Sequence, residues 1–373
     1  MSSQYSGRRI DPLLIEEEGH AESLIGNEAI VRGALEAGVS FASGYPGTPS
    51  SEVTDSFSRI AKMRGIIFEY SVNEKVALEM AFAASLAGAR SICAMKHLGL
   101  MYAGDPLSTI PYVGTVGGMV IVSAGDPSCY TSPNEQDQRH LAPMLQIPML
   151  DPVSPRQAYE MARFAFDLSE QSRLPVVLRP TARVCHSRGV IRYGLLKRTR
   201  VPGFLRDPER FNPIPINARK LRLELFNRVQ TARTLLEKSD FVQRSGKGRL
   251  GICAMGAPAA TCTDLLRELG LEDIVSLFSL GVAFPLPDDA LASFLGDVDK
   301  VLVLEELSPY LEDALSALCA RKKITTEILG KRTGHLPVPF EYQPSHIRKA
   351  MFEGLGLGSA PSVQPKAPDV PSR

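Results

Sequence analysis

A chain of 373 residues with 42 lysines and arginines against 41 aspartates and glutamates has a formal net charge of +1, without the basic excess of a nucleic-acid-binding face. Apolar residues make up 44% and charged residues 22%, a globular balance, and the length exceeds the roughly 250–300 residues of a single core, so two domains plus tails are expected. The longest apolar runs, such as "GGMVIVSAG", fall short of the roughly 20 residues that cross a bilayer. The N-terminus has no apolar block ahead of a cleavage site, so a cytoplasmic location without membrane partners is expected.

Residues 1–22 read as an N-terminal tail. From 23 to 190 helix-like and strand-like segments alternate: "NEAIVRGALEAG" has helical spacing, "VSFASG" is a short strand, "PSSEVTDSFSRIAKM" a helix and "GIIFEYS" a strand. There follow a very apolar helix, "NEKVALEMAFAASLAGA", strands "SICAM" and "GMVIVSA", a helix in "RQAYEMARFAFDLSEQ" and a strand "LPVVLRP". Short continuous apolar strands separated by helices predict a doubly wound α/β domain on a parallel sheet.

Residues 191–246, rich in proline and charge and ending in a charged helix, read as a connector. A second βα series over 247–335 predicts a smaller α/β domain, and 336–373 reads as a C-terminal extension with a disordered proline-rich tail. The cysteines, Cys93, Cys129, Cys185, Cys253, Cys262 and Cys319, form no C-x-x-C pair and read as small buried thiols rather than metal or cluster ligands.

In open α/β sheets ligands bind beyond the carboxyl ends of the strands. "GYPGTPSSE" (44–52) lies at such an end: prolines stiffen the loop, glycines permit close backbone approach and Thr48 presents a hydroxyl. The alternative is a rigid turn in which Ser50 or Ser51 caps the next helix. Glu74 begins the apolar helix, where a carboxylate is poorly solvated unless Ser71 and Glu74 form a capping box. Two further polar clusters follow strands: Lys96, His97 and Asp105 in one, and Ser132, Asn134, Glu135, Gln136, Asp137, Arg139 and His140 in the other. Their structural alternatives are a helix cap for Asn134, surface charges for Glu135 and Asp137, and a satisfied lone histidine for His97.

Taken together, "GNEAIVRGALEAG", "GYPGTPSSE", "SVNEKVALE", the "MKH" and "NEQD" clusters and "LRPTARV" with "HSRG" closely resemble the large subunits of indolepyruvate:ferredoxin oxidoreductases, within the thiamine-diphosphate-dependent 2-oxoacid:ferredoxin oxidoreductases. The resemblance continues through "KGRLGI", "FPLP", "VLVLEEL" and "GKRTGHLP" and covers about residues 23–355. It implies that 23–190 is the pyrimidine-binding domain and that the second domain is of the transketolase C-terminal-like kind. It makes Glu74 the catalytic glutamate, bonded to the aminopyrimidine ring nitrogen and favouring the tautomer that can take the thiazolium C2 proton. Gly44, Tyr45, Pro46, Gly47 and Thr48 become the loop facing the aminopyrimidine, with Thr48 reaching towards the substrate carboxylate. Lys96, His97, Asn134, Glu135, Asp137 and Arg139 become substrate-side candidates, with Lys96 or Arg139 for the carboxylate and His97 for proton shuttling.

The chain departs from the pattern at Met101, where asparagine is usual, at Pro133, and at Cys185, where serine is usual before His186. After "GKRTGHLP" the related subunits continue into diphosphate-binding and cysteine-rich segments, whereas here the proline-rich tail follows. An obligate partner is therefore expected to carry Mg²⁺, the diphosphate site and an iron–sulfur cluster, with a γ-like small subunit as a further companion. The implied reaction is oxidative decarboxylation of an aryl or branched 2-oxoacid, such as indolepyruvate, to acyl-CoA, with electrons leaving to ferredoxin. Two alternatives are a subunit of a non-oxidative thiamine-dependent decarboxylase or carboligase, and a non-catalytic subunit that has kept the fold.

Overall fold

The structure, a computed structural model, describes residues 10–358; the proline-rich tail from residue 359 lies outside them. After a 3-10 turn at Pro12–Leu14 come β1 (Ala21–Ile25), α1 (Gly26–Glu36), β2 (Phe41–Gly44), α2 (Ser51–Arg64), β3 (Ile67–Tyr70), α3 (Glu74–Leu86), β4 (Ser91–Lys96), α4 (His97–Tyr102) and α5 (Gly104–Val113). β5 (Met119–Ala124), α6 (Leu141–Leu145), β6 (Met149–Leu150), α7 (Pro155–Ser172), β7 (Val176–Leu178), α8 (Ala182–His186) and β8 (Arg188–Arg192) complete the first series. The order in its sheet is β6-β7-β5-β4-β2-β3, all parallel. β4 and β5 are buried almost throughout, as their largely apolar sequences require.

The second series follows α9 (Pro208–Phe211) and α10 (Pro215–Glu237) and comprises β9 (Val242–Ser245), β10 (Leu250–Met255), α11 (Ala257–Glu268), β11 (Val275–Leu280), β12 (Val282–Phe284), α12 (Asp288–Asp297), β13 (Lys300–Leu304), α13 (Tyr310–Lys322), β14 (Glu327–Leu329) and α14 (Pro344–Leu355). Its sheet has the order β14-β13-β10-β11-β9, with only β9 antiparallel. The expected architecture, two α/β units on parallel sheets, is what the chain adopts.

The two series interlock more than the composition suggests. β12 leaves the second unit and pairs antiparallel with β6, closing one edge of the first sheet. β9, inside the stretch read as connector, pairs with β11. α10 is docked: Arg228 donates to the carbonyls of Pro111 and Tyr112 at 3.1 and 3.0 Å. The segment before residue 23 is anchored too, because the buried guanidinium of Arg32 needs acceptors and finds the carbonyls of Leu13, Ile15 and Gly194. No helix among the described residues is long and apolar enough to cross a membrane. Five of the six cysteines are buried, the exception being Cys129.

Candidate functional site

Parallel register brings Gly44, Tyr70, Lys96 and Ala124, the last residues of β2, β3, β4 and β5, to one edge of the sheet. The loop after β2 is held at its start, where Ser71 N–H donates to Gly44 O (3.0 Å) and Tyr45 N–H to Ala94 O (3.3 Å). Ser50 stands at the cap of α2, but its hydroxyl donates to Gly47 O (2.8 Å) rather than accepting from the helix, so it braces the loop. A Cβ on Gly47 would lie 3.2 Å from Lys96 Cγ and Cδ. The aliphatic stem of Lys96 therefore rests on the loop, while its ammonium has no hydrogen-bond or ion-pair partner among the described residues.

Glu74 opens α3. The Ser71–Glu74 capping box, the structural alternative for Glu74, does not form: Asn73 is the cap, its side-chain Oδ1 accepting from Val76 N–H at 2.9 Å, and the Ser71 hydroxyl is buried without a partner among the described residues. Asn73 directly precedes the helix, whereas Ser71 lies too early to reach its open N–H groups. Glu74 is thus freed from capping. A Cβ on Gly99 would sit 2.5 Å from Glu74 Cγ and 2.8 Å from Oε1, so the glutamate packs onto bare α4 backbone. The carboxylate makes no hydrogen bond to any described residue. Beside it, burial pushes the Cys93 thiol up to about 12, which leaves Cys93 a neutral neighbour.

The second polar cluster divides. At its start, Asp126 accepts from Tyr130 N–H (3.1 Å), Thr131 N–H (2.9 Å) and the Thr131 hydroxyl (3.1 Å), and Thr131 Oγ1 lies 3.5 Å from Thr48 O. These bonds hold the Asp126 carboxyl below the ordinary range against the opposing effect of its burial. Sequence reasoning missed Asp126; the Asp-Pro turn directly after β5 was the available signal.

The later residues face the second unit instead. Arg139 is 1% exposed, and all three of its nitrogens are engaged: by Asp137 (2.9 and 2.7 Å), Glu305 (2.6 Å) and the carbonyls of Glu306 and Ser308 (2.7 and 2.9 Å). It has no donor left for a substrate carboxylate. Asp137 also accepts from Ser308 N–H (3.2 Å), and its carboxyl is held well below the usual range by Arg139 despite burial. Glu135 accepts from Phe340 N–H at 3.4 Å. His97, also 1% exposed, sets Nε2 3.2 Å from Asn134 O, and burial lowers its pKa, so it is a neutral brace on that loop. Asn134 itself is exposed. The structure therefore gathers Gly44–Thr48, Glu74 and Lys96, and sends Glu135, Asp137 and Arg139 to the seam between the units.

A family model described as pyruvate flavodoxin/ferredoxin oxidoreductase, thiamine diP-bdg, matches residues 32–229, more than half of the chain. The chain belongs to this family. Among curated members it is similar to indolepyruvate oxidoreductase subunit IorA of Methanothermobacter thermautotrophicus, 42% identical over 98% of this chain and 59% of that one. It is likewise similar to the subunit of the same name from Thermococcus kodakarensis, 39% identical over 93% of this chain and 54% of that one. The chain thus spans between half and two thirds of the length of these relatives. Its fold is that of 2-oxoglutarate:ferredoxin oxidoreductase from Magnetococcus marinus (TM-score 0.73, 18% identity, 90% of this chain and 65% of that one). A split gene transketolase shares the fold at TM-score 0.57 and 15% identity, over 90% of this chain and 99% of that one.

Proposed function

We propose that this chain supplies the pyrimidine half of a thiamine diphosphate site in an oxidoreductase that converts an aryl or branched 2-oxoacid, such as indolepyruvate, and CoA to acyl-CoA and CO₂, releasing a proton and an electron pair to ferredoxin. The carrying observation is Glu74: a half-buried carboxylate at a helix start, seated on Gly99, with no described partner, beside a rigid loop and an unpaired lysine. A carboxylate so placed fits a ring nitrogen as hydrogen-bond partner. The cofactor, when bound, supplies the electron sink that makes decarboxylation of a 2-oxoacid feasible.

The chain's own residues then have separable roles. Glu74 holds the ring-nitrogen proton. The loop from Gly44 to Thr48 presents backbone to the ring and the Thr48 hydroxyl to the substrate end. Lys96 meets the substrate carboxylate, and its stem on Gly47 couples substrate position to loop position.

Mg²⁺, the diphosphate site and the redox centre belong, in this reading, to a partner polypeptide, with a γ-like small subunit as an additional component. The surface supports a docking half. α3, for all its apolar sequence, leaves Met80 and Phe82 only partly covered, and Val72 just before it is 79% exposed. On the neighbouring edge strand Ile67 is 67% exposed, so apolar surface flanks the elements that carry Glu74.

The test is reconstitution with a subunit carrying the diphosphate half, followed by Glu74→Gln. Folding should be nearly unchanged and turnover should fall by orders of magnitude. Normal turnover with reduced stability would return Glu74 to a structural role.

A further inference from the structure

Two segments singled out in the sequence, the start of "GNEAIVRGALEAG" and the end of "LRPTARVCHSRG", have no part in the chemistry above. The structure brings both to the loop that carries Thr48. Asn27, in the first turn of α1, is fully buried. Its Nδ2 donates to Pro49 O at 2.7 Å and to Glu52 Oε2 at 2.7 Å, while its Oδ1 is buried without a partner among the described residues. Both partners can only accept, which sets the amide's orientation. Asparagine is the short side chain with two N–H donors on one atom; serine and threonine have one donor, and aspartate has none when ionised.

We infer that Asn27 is a positioning residue for the cofactor loop, fixing Pro49 and through it the adjoining Thr48. This rests on the reading of the 44–49 loop as a cofactor and substrate edge. A helix-capping role does not explain the residue, because the start of α1 is served by Glu28, whose Oε2 accepts from Ile25 N–H at 3.1 Å. Nor does it serve the interior, since an amide with an orphaned oxygen is a cost where it is buried. What remains is the loop carbonyl it holds.

The surroundings are built for this contact. A Cβ on Gly26 would lie 2.0 Å from Val184 O, so the α1 start sits directly against α8. Glu52, the second acceptor of Asn27, lies 3.6 Å from Nε2 of His186, the last residue of α8. The starts of α1 and α2 and the end of α8 thus meet at Pro49, on the far end of the loop from the Gly44 and Tyr45 sheet bonds.

The experiment compares the full-length wild type with Asn27→Asp by hydrogen–deuterium exchange, reading peptides over 44–51 against β4 and β5. Thiamine diphosphate affinity is then measured on each chain assembled with a diphosphate-binding partner subunit. Asn27→Asp should speed loop exchange about tenfold or more, leave β4 and β5 unchanged, and weaken thiamine diphosphate by about tenfold, the scale of one lost hydrogen bond. Unchanged loop exchange, or unchanged affinity in a folded variant, would overturn the inference. Should Asn27→Asp fail to fold, Asn27→Ala removes both donors without burying a charge and should loosen the same loop; a loop no faster than wild type would overturn it equally. If the wild-type complex binds no thiamine diphosphate, the proposed function fails, while the exchange data still decide whether Asn27 anchors the loop.

Discussion

The side chain that Gly99 lacks is occupied by Glu74: a Cβ there would stand 2.8 Å from the glutamate's Oε1 and 2.5 Å from its Cγ. α4, a helix of six residues, therefore provides the floor on which the Glu74 carboxylate rests, and does so through the bare backbone of Gly99, not through the side chain of His97.

Gly99→Ala separates stability from function. Inside a helix alanine is favoured over glycine by about 0.8–1 kcal/mol, so the free chain should unfold at an equal or slightly higher denaturant midpoint. Glu74 must shift to make room, and thiamine diphosphate affinity of the assembled complex should fall. A complex with unchanged affinity would show that Glu74 has slack at this point.

Lys96→Met keeps the stem that covers Gly47 and removes the charge. With no ion pair to lose, the folded chain should keep its stability, while the apparent KM for the 2-oxoacid should rise by about tenfold to a hundredfold, the value of hydrogen bonds to a charged group. Steady-state kinetics against substrate concentration decides this, and a change confined to kcat would remove Lys96 from carboxylate binding.

Arg139→Met should act in the opposite way. Removing it leaves Asp137 and Glu305 buried without their cation, a loss of about 3–5 kcal/mol for a broken buried pair. Urea unfolding should register that loss, and the fraction that remains folded should bind the 2-oxoacid with little change in KM. A large KM effect with unchanged stability would place Arg139 at the substrate after all.

Glu306 gives the seam a pH dependence. Its carboxyl is buried and accepts from Tyr342 N–H at 3.0 Å. Burial raises its pKa from 4.5 to about 7, with Glu341 adding to the rise and Arg183 and Arg179 opposing it. The folded state thus holds the proton more tightly than the unfolded chain. The stabilisation is complete below 4.5 and is lost as pH rises through about 7. Glu306→Gln should flatten this slope and be the more stable form at pH about 8. Lys331, pushed down to about 8 by burial, titrates above this window. Equal slopes for wild type and variant in denaturation series from pH about 5 to about 8 would refute the assignment.

Much of the fold was legible because its strands and helices announce themselves locally. "GMVIVSA" is apolar but for Ser123 and becomes a fully buried strand, and "RQAYEMARFAFDLSEQ" carries the helical spacing that α7 buries. β12 and β9 were not legible. β12 has three residues, β9 is a polar stretch of four, and each exists because a distant edge offers backbone partners. The Ser71–Glu74 spacing suited a capping box, and only the actual start of the helix, one residue after Asn73, excluded it.

For the site, the residue types and their places after strands were enough to point to the sheet edge, because parallel strands ending together bring their following loops together. From sequence alone Glu74, the loop from Gly44 to Thr48 and both polar clusters, with Lys96 and Arg139 alike, could be proposed for that edge. What sequence could not decide was the direction each polar side chain takes. Lys96 and Arg139 are equivalent as cations at or after strand ends, yet one has no partner among the described residues and the other is saturated by Asp137, Glu305 and carbonyls of the second unit. That distinction depends on contacts across 166 residues of chain, and a buried guanidinium goes where its donors are all accepted, which only the docking of the two units determines.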